Sequence, residues 1–200
     1  MIRTLEQAQA RLHKLRTRRK WWRALARRSA VAIPLREGAE GLELLMIERA
    51  QREGDRWSGH MAFPGGMLHA HDANSLAGAL RETREEIGID LDRHGRLLTR
   101  LSDIGSHSHA GHRRPLVISP YVFAVAGEVT PNLNHEVASV LWVPLSFLAD
   151  QRNRAMMDWQ YKMRTLRLPY YVYADKRIWG LSLRMIDEML PLLTAAPGKS

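Results

Sequence analysis

Glu82, Glu85 and Glu86 are the residues of this chain with the clearest capacity for chemistry. They lie in Leu80-Arg81-Glu82-Thr83-Arg84-Glu85-Glu86-Ile87-Gly88-Ile89, a segment of helix-forming residues. At ~100° per residue the three glutamates share one arc of about 100°. Leu76, Ala79, Leu80, Thr83 and Ile87 fall on another arc, expected to face the core. Like charges at this spacing repel by a few tenths of a kcal/mol per pair. The last turns of a helix favour cations rather than acids. Arg81 and Arg84 offset part of the repulsion. A hard divalent ion with oxygen ligands, such as magnesium, would offset more. Taken alone, the cluster fits a metal site or a solvated acidic face with intrahelical ion pairs.

The elements that must position these carboxylates follow from periodicity and turn residues. A helix is expected over Ser75–Ile87, stopped by Gly88 at the position past its end. A short strand at 61–63 is halted by Pro64-Gly65-Gly66. Further strands are expected at 29–35, 42–47, 98–104, 120–126 and 137–143, and a second strong helix at 180–192. Residues 4–26 lack Gly and Pro and read as one basic helix anchored by Leu5, Leu12, Leu15, Trp22 and Leu25. The uneven alternation predicts an α/β fold, a mixed sheet with helices on both faces. Residues 151–175 mix Arg, Met, Trp and Tyr and read as a substrate-side wall or a packed insertion.

Charge and composition exclude several alternatives. The net charge is +9, yet residues 1–30 hold ten Lys/Arg against Glu6 alone, and the other 170 residues hold 20 basic and 20 acidic ones. The basic character belongs to an N-terminal arm and not to the body. There is no cysteine among the 200 residues, which removes thiolate catalysis, cysteine-ligated metal and disulfides. No apolar run approaches the ~20 residues of a membrane span, and no secretory leader is evident, so a cytoplasmic location is expected. The division expected is a basic helical arm (1–28), a catalytic domain (29–194) and a frayed tail (195–200). The tail's Gly198-Lys199-Ser200 is not a phosphate-binding loop, because Leu193 stands where the earlier glycine would be needed.

Phe63-Pro64-Gly65-Gly66, then Asp72, then Arg81-Glu82-x-x-Glu85-Glu86-x-Gly88 resembles the box of the Nudix hydrolase family. The lead-in Arg56-Trp57-Ser58-Gly59-His60-Met61-Ala62 resembles the branch that contains coenzyme A pyrophosphatases. Glu136-Val137 with Leu141-Trp142-Val143-Pro144-Leu145, and Ile178-Trp179-Gly180, are similar to that branch too, so the likeness covers about residues 28–192. Two departures stand out. The general box places an acid eight residues before the arginine, which here is Ala73, with Asp72 one position earlier. His69 stands where the coenzyme A branch usually carries another acid.

The resemblance implies a Nudix-type α/β/α sandwich with a mixed β-sheet, here with an N-terminal basic helix. It implies Mg2+- or Mn2+-dependent cleavage of a phosphoanhydride in a nucleoside diphosphate linked to another group. Coenzyme A, split into 3′,5′-ADP and 4′-phosphopantetheine, is the first substrate expectation. ADP-ribose, dinucleotides and nucleoside triphosphates are the alternatives, as is a catalytically silent Nudix-fold binding module. Glu82 and Glu86 are implied metal ligands, and Glu85 a third ligand or the base. Glu136 is implied as base or second-site ligand, or is an ordinary strand-edge carboxylate. Gly65 and Gly66 let the backbone approach closely, and Arg81, Asp72 and Gly88 give structural support. Arg49, Gly65, Gly66, His107, Arg113 and Arg114 are the candidate substrate contacts. The polar segment 106–114 reads as a phosphate grip, as a metal site of His107, His109 and His112, or as a solvated loop. His60 and His69 flank the glycine turn. The expected partner is a small-molecule nucleotide. A homodimer, and contact of the arm with nucleic acid or an anionic membrane, are left open.

Overall fold

The computed structural model describes residues 2–54, 57–106, 114–161 and 163–195. His107, His109, His112, Arg113, Arg56 and the Gly198–Ser200 tail lie outside these.

The sheet is organised around one long strand. β1 (Arg27–Gly38) runs parallel to β7 (Leu116–Val125) along one edge. Along its other edge it has two partners in succession. Its first part pairs with β4 (Gly65–Met67), its last part with β2 (Gly41–Arg49), both antiparallel. Pro34 sits where the partners change. The amide of Ala32 donates to the Pro64 carbonyl at 2.9 Å. Two residues on, the missing amide of Pro34 would point the same way, into the gap between β4 and β2, so the ladder loses nothing there.

β2 also pairs with β3 (Met61–Ala62) and β8 (Val137–Pro144), and β7 with β5 (Gly95–Arg100) and β6 (Ile104–Ser106). The single strand expected over 98–104 is therefore corrected to two short ones, parted at 101–103. The result is an eight-stranded mixed sheet.

Alternate side chains of a strand face opposite ways, and β1 uses both faces. Val31, Ile33 and Leu35 pack in one buried cluster with α1 (Leu5–Leu12) and α5 (Gly180–Thr194). Ala30 and Ala32 pack in the other with Ala79 and Ile87 of α2 (Ser75–Ile87). Helices on both faces give the expected α/β/α sandwich. Two small helices, α3 (Leu91–His94) and α4 (Leu145–Ala149), complete the described set.

The helix expected over 4–26 is corrected. It stops at Leu12, and only a 3-10 turn at Trp21–Leu25 follows. Between them runs a cationic stretch whose helical neighbours would repel, and its backbone bonds elsewhere. The Arg18 amide donates to Ser102 Oγ and the Lys20 amide to Asp103 Oδ2, each at 2.9 Å. Leu5, Leu12 and Leu15 are anchors as expected, but Leu25 is solvent-exposed.

Residues 151–175 form most of a largely exposed appendage, joined to the core through Tyr171. β9 (Ala155–Tyr161), β10 (Arg164–Tyr173) and β11 (Lys176–Trp179) make a separate three-stranded antiparallel sheet. Trp57, His60, Trp179 and Trp159 meet in series, the first pair edge-on and the others tilted, with ring centroids 5.8, 5.1 and 4.6 Å apart, and link this sheet to the approach to β3.

Candidate active site

The glycine turn and α2 are locked by interactions the sequence makes obligatory. Asn74 caps α2, its Oδ1 accepting from the amides of Leu76 and Ala77 at 2.9 and 3.0 Å. Gly88 ends the helix in the left-handed region at φ 69°. At Gly65 (φ 150°) a Cβ would fall 2.3 Å from the Ala30 carbonyl oxygen, and at Gly66 one would fall 2.6 Å from the Glu82 carboxylate. At Gly65 the obstacle is strand backbone, which leaves room for glycine only; at Gly66 it is the end of the Glu82 side chain, which a methyl would displace.

The three glutamates do not share one environment, which corrects their expected common projection. Glu86 is buried, 3% exposed, and its Oε2 accepts from the Gly65 amide at 2.8 Å. Burial pushes its pKa up to about 7; the Gly65 amide and Arg49 oppose the rise, while Glu82 and Glu136 add to it. Glu82 is also raised, first by burial and against the pull of Arg81. Glu85 turns toward Arg81 Nη1 at 3.0 Å and is more than half exposed.

Arg81 is the hub that holds the turn onto the helix. Its Nε and Nη2 grip the two Asp72 oxygens at 3.0 and 3.1 Å, a bidentate fork. Nη2 also reaches the Met67 carbonyl at 3.1 Å and Glu82 Oε1 at 2.9 Å. The Asp72 carboxyl, which Arg81 grips and to which the His69 amide donates at 2.7 Å, is held down at about 2. Asp72 thus does the supporting work expected of an acid one position later. His69 lies near enough for its charge to act on Glu82.

Two further segments converge on Glu86. Arg49, at the end of β2, favours its charged form. The Asn134 and Asn132 amides donate to the carbonyls of Glu86 and Ile87 at 2.9 and 2.8 Å, satisfying helix-end acceptors. That loop delivers Glu136, whose carboxylate pairs with Arg52 at 3.2 Å and whose charge acts on Glu86. Arg52, Asn132 and Asn134 were not singled out from sequence; the only signal was an Asn-x-Asn just before the candidate acid. Arg114 is exposed, and nothing places it at the cluster. A cavity of about 370 Å³ opens beside the turn, lined by Arg27, Arg28, Met67, His69, Asp72 and Asn74 among others.

Known proteins resemble this chain in sequence and in fold. The NUDIX domain family model matches residues 26–161. An uncharacterized protein of Schizosaccharomyces pombe is 39% identical over 58% of this chain, which spans 36% of that protein's length. The mitochondrial coenzyme A diphosphatase NUDT8 of Mus musculus is 29% identical over 85% of this chain and 79% of its own. The crystal structure of a C. elegans Ap4A hydrolase binary complex aligns with TM-score 0.51 at 17% identity, over 62% of this chain and 83% of that one, and shares the fold. With its glycine turn, acidic helix and mixed sheet, the chain belongs to the Nudix hydrolase family, enzymes that cleave phosphoanhydrides.

Proposed function

We propose that this chain hydrolyses the phosphoanhydride of coenzyme A or a derivative, giving 3′,5′-ADP and a 4′-phosphopantetheine. The observation that carries the reaction type is Glu86. A buried carboxylate beside a second desolvated one is unstable as an anion, and a divalent cation relieves both.

Among the described residues no set of three or more acids or histidines stands ready to ligate an ion. The donor chemistry nevertheless fits one. Glu82 and Glu86 are hard oxygen donors raised by burial, and no Cβ fills the space between Gly66 and Glu82. When bound, Mg2+ or Mn2+ supplies charge neutralisation at the pyrophosphate and a more acidic water. The protein's own residues do the rest. The Gly65 amide fixes the Glu86 carboxylate. Arg81 holds Glu82 and Asp72 in place. Glu136, tethered by Arg52, is the acceptor of the attacking water's proton at a carboxylate oxygen, and Glu85 is the second candidate. Arg49 lies beside Glu86, suited to a substrate phosphate.

Two likenesses support the coenzyme A reading: the lead-in Arg56–Ala62, and the mouse coenzyme A diphosphatase, alike over most of both chains. The test is a product screen by anion-exchange chromatography with coenzyme A, ADP-ribose, NADH, dinucleotides and nucleoside triphosphates, with and without metal, scoring the nucleotide monophosphate product such as 3′,5′-ADP. Coenzyme A should give the highest kcat/KM. A preference for ADP-ribose or a dinucleotide keeps the reaction and replaces the substrate. Glu86→Gln should reduce kcat by roughly 10²–10³-fold, the scale of losing one preorganised electrostatic group. Full activity in that folded variant would remove the basis for the mechanism.

A further inference from the structure

The 3-10 turn at Trp21–Leu25 displays apolar side chains in a way the fold does not require. Trp21 is 89% exposed and Leu25 74%, whereas tryptophan is highly buried on average. Its neighbour Trp22 turns inward, its ring 3.2 Å from where a Cβ on Gly105 would stand. The display is held rigidly. Besides the Arg18 and Lys20 amides already described, the Asp103 amide donates to the Arg18 carbonyl at 2.9 Å. Arg23 pairs with Asp103 at 3.8 Å and donates to Ser119 Oγ at 3.4 Å. Trp21 and Leu25 are therefore pinned outward.

The surroundings say what covers them. Lys14, Arg16, Arg18, Arg19 and Lys20 are exposed immediately before the turn. No acid occurs between Glu6 and Glu37. Cations around an indole and an aliphatic side chain match the headgroup region of an anionic bilayer, where phosphates meet the first methylenes. A nucleic acid would explain the cations and the indole, but it has no use for Leu25. We propose that residues 14–25 form a peripheral docking element for anionic lipid surfaces, with Trp21 and Leu25 inserted at headgroup depth. No helix among the described residues is long and apolar enough to cross a membrane, so the contact is interfacial. The inference is independent of the substrate.

The test is cosedimentation of the full chain with phosphatidylcholine vesicles, with or without about a third phosphatidylglycerol. Binding to the anionic vesicles alone is expected. Trp21→Ala with Leu25→Ala should weaken it at least about tenfold. Arg18→Glu with Arg19→Glu should do the same, and both pairs should keep the melting temperature and turnover of soluble substrate. The proposal is overturned if the wild type ignores anionic vesicles, or if the apolar pair binds them like wild type. It is equally overturned if an oligonucleotide binds more tightly than the vesicles and Leu25→Ala leaves that binding intact.

Discussion

Two charge hubs in this molecule are mirror images. At Arg81 one guanidinium is surrounded by Asp72, Glu82 and Glu85. At Asp103 one buried carboxylate is surrounded by Arg23, Arg100, Ser119 and the Lys20 amide. In the first, a single cation serves too many acids, and Glu82 and Glu86 stay poorly neutralised. In the second, a single acid ties down a cationic segment whose outer residues keep their charge. One hub leaves a demand for a cation, the other a demand for an anion. Both ties are structural, and the surplus on each is what reaches outward.

The largest effect should come from breaking the second hub. Asp103→Ala leaves Arg23 and Arg100 facing each other without their acid. Removing one partner of a buried ion pair costs about 3–5 kcal/mol, measurable by urea unfolding. A loss comparable to a surface substitution would mean that the hub is not a clasp.

The first hub is sharpened by pH. Glu86 has its pKa raised to about 7 in the fold from 4.5, so the folded state binds the proton more tightly. Stability of the metal-free protein is then fullest below about pH 4.5 as far as Glu86 is concerned, and falls as pH rises through 7, by on the order of 3 kcal/mol. Asp72 acts in the opposite sense, its contribution present above its unfolded value of 3.8 and lost as pH falls toward about 2. Thermal melts between pH 5 and pH 8 should slope downward without metal, and Glu86→Gln should flatten them. Saturating Mn2+ should raise the melting temperature most at the alkaline end. An unchanged slope in Glu86→Gln would assign the effect to another group.

The smallest effects separate the two glycines. A methyl on Gly65 meets strand backbone, and should lower stability by about 1–3 kcal/mol, the cost of overpacking. A methyl on Gly66 meets the movable end of Glu82. Gly66→Ala should leave stability within about 1 kcal/mol while activity falls. Equal stability losses in the two variants would break the distinction.

Much of this was legible in the residues, for physical reasons. The glycine turn, the helix from Ser75 and its stop at Gly88 announce themselves through local conformation. What failed depended on distant partners. A helical wheel groups Glu86 with Glu82 and Glu85, because it cannot know that the Gly65 amide meets that one carboxylate and that the fold buries it. The basic helix ends early because Ser102 and Asp103 take the backbone bonds of Arg18 and Lys20. The second sheet is hidden because β10 shows no alternation of burial and carries Pro169. Asp72 looked displaced by one position, yet it reaches Arg81 in a bidentate fork, a contact that depends on the path of the turn and not on sequence register.

The bonds from Asn132 and Asn134 to the end of α2 have a metric meaning. They make the loop a spacer rule between two carboxylates on unlike elements, one from a helix and one at the head of a strand. A residue gained or lost at 133–135 would leave the sandwich standing and change the interval between Glu86 and Glu136. The spacing of these two carboxylates is thus set by loop length.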